Sequence, residues 1–317
     1  MTGGYGFFGA WIIRRLLARG DEVFVYDLAA NPRRLDLVLS PDQLAKVVYV
    51  PGDVTDVARL TSVIGEKEIT HIIHLAGLQV PTCRADPILG AKVNVIGTLA
   101  VFEAAKAYHA MIERVVYASS AAVFGPQTDY TGGHLADDVK LSPTTHYGYF
   151  KCCNEGNARI YYQDHKISSV GLRPWTVYGV GRDLGMTSEP TKAIKALALG
   201  KSYHITYGGW QDLQYIDDVA NVFVCGLIAP YSGAKSYNLR GDVVDLATFH
   251  RALCEVAPEA KERITYGTNQ IGIAYDLSDA ALHRDLGPIP KTSLVDGIRE
   301  TLYLFRRLHA EGRLDLD

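Results

Sequence analysis

Three glycines spaced three residues apart, Gly3, Gly6 and Gly9, open the chain and run directly into a helical pattern. Ile12, Ile13, Leu16 and Leu17 recur at helical spacing with Arg14, Arg15 and Arg19 opposite, and Gly20 ends the run. The first N–H groups of a helix have no acceptor within it, and the helix dipole makes that end positive. A turn of glycines leaves those groups bare, so the opening nine residues form an anion site suited to phosphate. Phe7 and Phe8 complete the turn between the second and third glycines. Such triplets also arise by chance, and the elements that follow decide what is bound.

Those elements alternate. β-branched and aromatic runs at 22–27, 46–50, 71–77, 113–118 and 168–172 read as strands. Helical patterns separate them at 56–65, 88–109 and 144–165. This spacing predicts an α/β fold, a doubly wound parallel (Rossmann) sheet with helices on both faces. Beyond residue 179 the alternation loosens. The chain therefore divides into a dinucleotide-binding domain, 1–178, and a smaller, irregular substrate lobe, 179–317, with segments such as 210–230 returning to the first domain. One part is missing. In the dinucleotide fold a central strand precedes the glycine turn, and here only Met1 precedes the loop. The expectation is that two inner strands have unpaired edges and that the chain begins late. A form extended upstream by about six to eight residues is then expected to be more stable and to hold its dinucleotide better.

Composition excludes several partners. The 317 residues are 48% apolar with a formal net charge of −3 and no block of like charges, so no electrostatic footprint for nucleic acid or a membrane surface exists. No window approaches eighteen apolar residues, no basic leader opens the chain, and a cytoplasmic protein is expected. Five cysteines (Cys83, Cys152, Cys153, Cys225, Cys254) have no metal spacing and read as buried, reduced thiols. His71 and His74 point to opposite faces of a strand, so no metal site is expected there.

The strand 22–27 ends in Asp27, eighteen residues after Gly9, where a dinucleotide fold keeps the acid for the adenosine ribose. That carboxylate favours NAD over NADP, whereas Arg33 and Arg34 nearby pull toward a 2′-phosphate. Tyr147 and Lys151 stand i, i+4 on one helix face. An ammonium beside a phenol lowers its pKa, which suits a tyrosine to moving a hydroxyl proton during hydride transfer. Ser120, at the end of a strand, can orient the same hydroxyl.

In these motifs the chain resembles the extended short-chain dehydrogenase/reductases, the group containing nucleotide-sugar epimerases and dehydratases. The matching residues are Thr2–Gly9, Asp27, Gly52-Asp53-Val54, His74-Leu75-Ala76, Asn94, Ser119-Ser120, Tyr147-x-x-x-Lys151, the segment 172–179 and the segment 215–220. The resemblance implies NAD bound across Gly3, Gly6, Gly9, Asp27, Asp53 and Val54. Phe7, Phe8, Leu75, Ala76, Gly77, Asn94 and Ser119 complete that set. It implies Tyr147 as acid/base, Lys151 on the nicotinamide ribose and Ser120 on the substrate oxygen. It also implies a homodimer through the helices 88–109 and 144–165.

Dehydratases of the family carry acidic residues just after the serine; here those positions are Ala121 and Ala122. An epimerase-like oxidation and re-reduction of a nucleotide sugar is the first reading. A dehydrogenase of a free sugar, sugar acid or polyol is the second, and a non-catalytic NAD-binding protein the third. The expected substrate pocket comprises Ser120, Ala122, Trp175, Thr176, Arg182, Trp210, Gln211 and Arg240. Gln211 stands where family members usually place an arginine on the substrate pyrophosphate, and Arg182, Lys192 or Arg240 are the candidates to replace that charge.

Overall fold

The apolar runs assemble as strands of one parallel sheet in the computed structural model, which describes residues 1–314. Val23–Asp27 (β1) pairs with Val47–Pro51 (β2), while His71–His74 (β3), Arg114–Ala118 (β4) and Ser169–Arg173 (β5) pair in sequence order. Three short strands follow, Thr176–Tyr178 (β6), Tyr203–Ile205 (β7) and Trp210–Tyr215 (β8). Ala234–Asn238 (β9) then returns to lie parallel beside β5.

The expected gap between β1 and β3 is corrected by the first three residues themselves. Thr2 bridges Tyr26 on one side and His74 on the other, both in parallel sense. Its N–H donates to Ile73 O (3.0 Å), and Leu75 N donates to Thr2 O (3.0 Å). Across the other edge, Tyr26 N donates to Met1 O (2.8 Å) and Gly3 N to Tyr26 O (3.1 Å). The strand order is therefore β2, β1, Met1–Gly3, β3, β4, β5, β9, and the glycine turn is anchored at the sheet centre, where a doubly wound fold opens its ligand crevice.

His74 locks this junction. Thr98 Oγ1 spends its proton on Asn94 O (2.7 Å), so it accepts from His74 Nε2 (2.9 Å). The other ring nitrogen, Nδ1, then accepts from the Thr2 hydroxyl at 2.7 Å. Acceptance at Nδ1 needs the neutral ring, and burial, with Lys151 adding repulsion, pushes its pKa down to about 3. In the unfolded chain the imidazole protonates near 6.5. Between these values the unfolded state binds a proton that the native state refuses, so stability falls as pH drops from about 6.5 toward 3, by up to roughly 1.4 kcal/mol per pH unit. A His74→Gln protein is expected to be less stable than wild type at pH 7 and to close that difference by pH 4, read from urea midpoints at each pH.

Helices cover both faces. Phe7–Arg19 (α1) packs on the helix Ile216–Ile228, pinned by the two-pronged Arg15–Asp217 pair (2.9 Å for each bond). Trp11 Nε1 donates to Val180 O (2.9 Å), tying α1 to the chain beyond β6. The stretch expected as one helix at 88–109 is a run of Pro87–Ala91, a π-turn at Lys92–Ile96 and Gly97–Ala107. Contrary to the composition reading, Pro87–Ala107 is long and apolar enough by length and composition to cross a membrane, but half of it is packed inside the protein. In the last third, β8 pairs with β6 and with Asp242–Asp245 (β10), and β7 with Ile264–Tyr266 (β11). All five cysteines are free thiols, but only Cys83 is fully buried and Cys153 is exposed, so their expected burial holds for one of them.

Candidate active site

The glycine turn is built by exclusion. Gly3 sits at φ +67°, and a Cβ there would lie 2.5 Å from Ala76 N. A Cβ on Gly9 would lie 2.1 Å from Gly4 O, whereas one on Gly6 would meet only Gly3 O, at 3.1 Å. Gly6 caps α1 without a side chain, so the first-turn N–H groups stay open to a ligand. A pyrophosphate fits this cradle, and a side chain at either outer glycine does not. Gly3→Ala adds about 1–2 kcal/mol of left-handed strain to that backbone overlap. It is expected to leave the purified protein with little bound dinucleotide, as read by absorbance after denaturation.

Asp27 lies beside this turn, its carboxylate accepting from Tyr5 N (3.3 Å) and Leu28 N (2.9 Å). Half-buried, it has a pKa raised by desolvation. Arg34 is tied to Asp183 by contacts of 2.7–3.2 Å, which removes it as a 2′-phosphate partner. Asp53 accepts from Thr55 N and Oγ1, both at 2.8 Å, and these bonds hold its carboxyl below the usual range. Val54 is buried against Gly97, where a Cβ would stand 2.7 Å from Val54 Cγ1.

Opposite the glycine turn, Thr145 caps the helix His146–His165 by accepting from Gly148 N (3.1 Å). Its first turns present Tyr147 and Lys151. Ser120 caps the short turn Ala121–Val123, accepting from Ala122 N (3.1 Å), and its hydroxyl lies near enough to Tyr147 to favour the phenolate. Lys151 Nζ donates to Ala118 O (2.6 Å) and lies 5.4 Å from the Tyr147 ring centre. Here the expected electrostatics are corrected. Burial raises the Tyr147 pKa, and the groups that pull it back are Ser120 and the Arg182 guanidinium rather than Lys151. Lys151 is itself buried, which lowers its ammonium to about 8, with Cys83 and Glu155 opposing. Burial thus favours the protonated phenol in this arrangement, and the Arg182 charge opposes it.

Glu155, one further turn along the same face, accepts from Ser119 Oγ (2.5 Å) and from Arg173 Nε (2.8 Å) and Nη2 (2.7 Å). Arg173 also donates to Asn238 Oδ1 and Asp137 O. This buried network joins the helix to the ends of β4, β5 and β9, fixing the serine pair. Sequence reasoning misses Glu155, although its i, i+4 spacing from Lys151 is a usable signal.

One cleft collects the glycine turn (Gly3, Gly6, Phe7, Phe8, Gly9), Leu75 and Gly77, and the triad of Ser120, Tyr147 and Lys151. Ser119, Ala122, Trp175 and Arg182 share it. Other expected residues stand outside its lining. Ala76 backs onto Gly3. Asn94 holds both backbone groups of Leu78 (2.7 and 2.9 Å), bracing the loop that forms one wall. Thr176 and Gln211 are buried and bonded to each other (2.9 Å). Two further expected pocket residues also stand outside the lining and are engaged elsewhere. Trp210 stacks on Tyr275, with ring centres 6.0 Å apart and the indole 47% exposed, away from the cleft. Arg240 pairs with Asp276 at 2.8 Å and with Leu277 O. Lys192 lines a separate hollow with Arg34. Met186, Thr187 and Ile273, which no motif flagged, close the substrate side.

Comparison with known proteins agrees with this layout. The model of the NAD dependent epimerase/dehydratase family matches residues 1–239. The UDP-glucose 4-epimerase of Mycolicibacterium smegmatis is 29% identical over 314 residues, covering 96% of this chain and 97% of that protein. The structure of the Thermus thermophilus UDP-glucose 4-epimerase in complex with NAD superposes with a TM-score of 0.80 at 27% identity, covering 96% of this chain and 97% of that one. MoeE5 in complex with UDP-glucuronic acid and NAD gives 0.78 at 25% identity, covering 96% and 98%. The glycine cradle, the Ser-Tyr-Lys face and these similarities converge: the chain belongs to the NAD-dependent epimerase/dehydratase family, and its cofactor is NAD.

Proposed function

We propose that the protein epimerises a nucleotide-activated sugar at a secondary alcohol, by a 4-epimerisation-like oxidation and re-reduction. The observation that carries this reading is one cleft holding Tyr147 beside Lys151 and Ser120, with Ala121 and Ala122 directly after the serine, where no carboxyl group stands to serve elimination. NAD, when bound, would supply a reversible hydride acceptor for the alcohol carbon. The turn Gly3–Gly9 would hold its pyrophosphate, Asp27 its adenosine ribose, Asp53 and Val54 its base, and Lys151 its nicotinamide ribose.

Ser120 Oγ orients the substrate hydroxyl while Tyr147, as the phenolate, takes its proton and becomes the phenol. The Arg182 charge favours the phenolate that starts this step. Tyr147 then gives the proton back once the keto-sugar has presented its other face. Relatives and solved structures named for UDP-glucose and UDP-glucuronic acid support a nucleotide sugar as substrate.

A second reading, an NAD-dependent dehydrogenase of a free sugar, sugar acid or polyol, is favoured by one observation. Gln211 is fully buried and neutral at the pyrophosphate position, and Arg240 is engaged by Asp276. The two readings differ in cofactor handling. An epimerase keeps its dinucleotide through each cycle and should release about one NAD(H) per chain on denaturation. An empty supernatant, with NADH accumulating on addition of sugar acids, would select the dehydrogenase.

We infer a homodimer through the helices at 87–107 and 146–165. They pack side by side and expose Ile88 (81%) together with Tyr149 and Ile160. Ile88→Arg combined with Ile160→Arg is expected to sediment as a monomer where wild type sediments as a dimer.

A further inference from the structure

The hollow lined by Lys192 and Arg34 is not part of the reacting cleft. Its walls come from the helix Arg33–Val38, the loop after β6, the helix Glu189–Ala198 with the turn into β7, and the helix Leu294–Ala310. It encloses about 430 Å³, and Arg182 is the one residue it shares with the lining of the cleft. That volume falls within the roughly 300–1,000 Å³ typical of small-molecule sites.

Its charge is lopsided. Arg33, Arg34, Arg182, Lys192, Lys195 and Lys201 line it, and Asp183 is the one carboxylate among the described residues of that lining. Both Asp183 oxygens are engaged by Arg34, at 2.7 and 3.0 Å. The chain as a whole carries a formal net charge of −3, so this concentration of cations is local. Lys192 and Lys195 stand i, i+3 on one helix, both half-buried. Residues so spaced are surface neighbours, and like charges there repel. A multiply charged anion seated in the hollow relieves that repulsion.

The remainder of the lining is largely apolar: Leu37, Ala196, Leu199 and Phe305, with the ring of Tyr203 beside them. A bare inorganic anion has no use for such a floor, whereas an anion carried on an apolar body covers it. We propose that this hollow is a second ligand site, which takes a small oligophosphate ester, its charges on Lys192, Lys195 and Lys201 and its apolar body against Leu37, Leu199 and Phe305. The site is distinct from the glycine cradle and from the substrate cleft, and it does not depend on which reaction that cleft performs.

The test is calorimetric titration of the NAD-loaded protein with ADP, the bound dinucleotide keeping the probe out of the glycine cradle. ADP is expected to bind wild type about tenfold more tightly than adenosine does, and to weaken as salt is added, since exposed cations are screened. Inorganic pyrophosphate is expected to bind severalfold more weakly than ADP, because it leaves the apolar floor uncovered. The double change Lys192→Gln, Lys195→Gln should weaken ADP about tenfold with NAD content unchanged. Lys201→Gln, at an exposed residue, should weaken it severalfold without a risk to folding. Ile273→Trp, which narrows the reacting cleft, should leave ADP affinity as in wild type. No heat with ADP, adenosine or pyrophosphate binding as tightly as ADP, or lysine variants that bind ADP like wild type would each overturn the site. Loss of ADP binding in Ile273→Trp would place the probe in the reacting cleft and overturn it as well.

Discussion

Tyr147→Phe is expected to lower turnover by roughly 10²–10⁴-fold, the range for losing a positioned acid/base, while the protein keeps its NAD. The substitution removes one oxygen from a half-buried ring and leaves the helix cap at Thr145 and the Lys151–Ala118 contact in place. Its effect should therefore fall on kcat rather than on folding. Because burial raises the phenol's pKa and Ser120 and Arg182 oppose that rise, Arg182→Met is expected to move the ascending, acid-side limb of the pH–rate profile to higher pH. A Tyr147→Phe protein that turns over at the wild-type rate would remove Tyr147 from the chemistry.

The largest stability effect is expected at Arg173. Its ion pair with Glu155 is almost wholly withdrawn from solvent, with side chains 3% and 0% exposed. Breaking such a pair from one side strands a buried charge and costs about 3–5 kcal/mol. Arg173→Met should lose that much in urea unfolding. The double change Arg173→Met, Glu155→Leu should recover a substantial part of it, since no unpaired charge remains. Activity should stay low in the double variant, because Ser119 loses its 2.5 Å anchor on Glu155 and Ser120 is its chain neighbour. Equal losses in the single and the double variant would mean that the pair is not coupled.

What is legible in the sequence is whatever is encoded locally. The glycine spacing, the alternation of strands and helices and the i, i+4 pair Tyr147 and Lys151 each depend on a few consecutive residues, and each appears where expected. The failures are long-range. Arg240 and Trp210 look available in sequence, but their partners, Asp276 and Tyr275, arrive from segments well downstream. Helical spacing places Lys151 beside Tyr147 and suggests that its charge tunes the phenol. The side chain instead reaches Ala118 O on β4, and the charge acting on the phenol comes from Arg182, beyond β6. The gap before the glycine turn is real as a count of residues. It is not a gap in the sheet, since a single residue, Thr2, makes bridges to both neighbours.

The reaction is tested most directly by a nucleotide sugar carrying deuterium at the carbon that bears the reacting hydroxyl, incubated with purified protein and followed by proton NMR. If the hydride leaves and returns within one cleft, the epimer appears with its deuterium retained and without accumulating NADH. An epimer whose label has washed into solvent, or no epimer from any nucleotide sugar while NADH accumulates with a free sugar acid, would contradict oxidation and re-reduction at a retained cofactor.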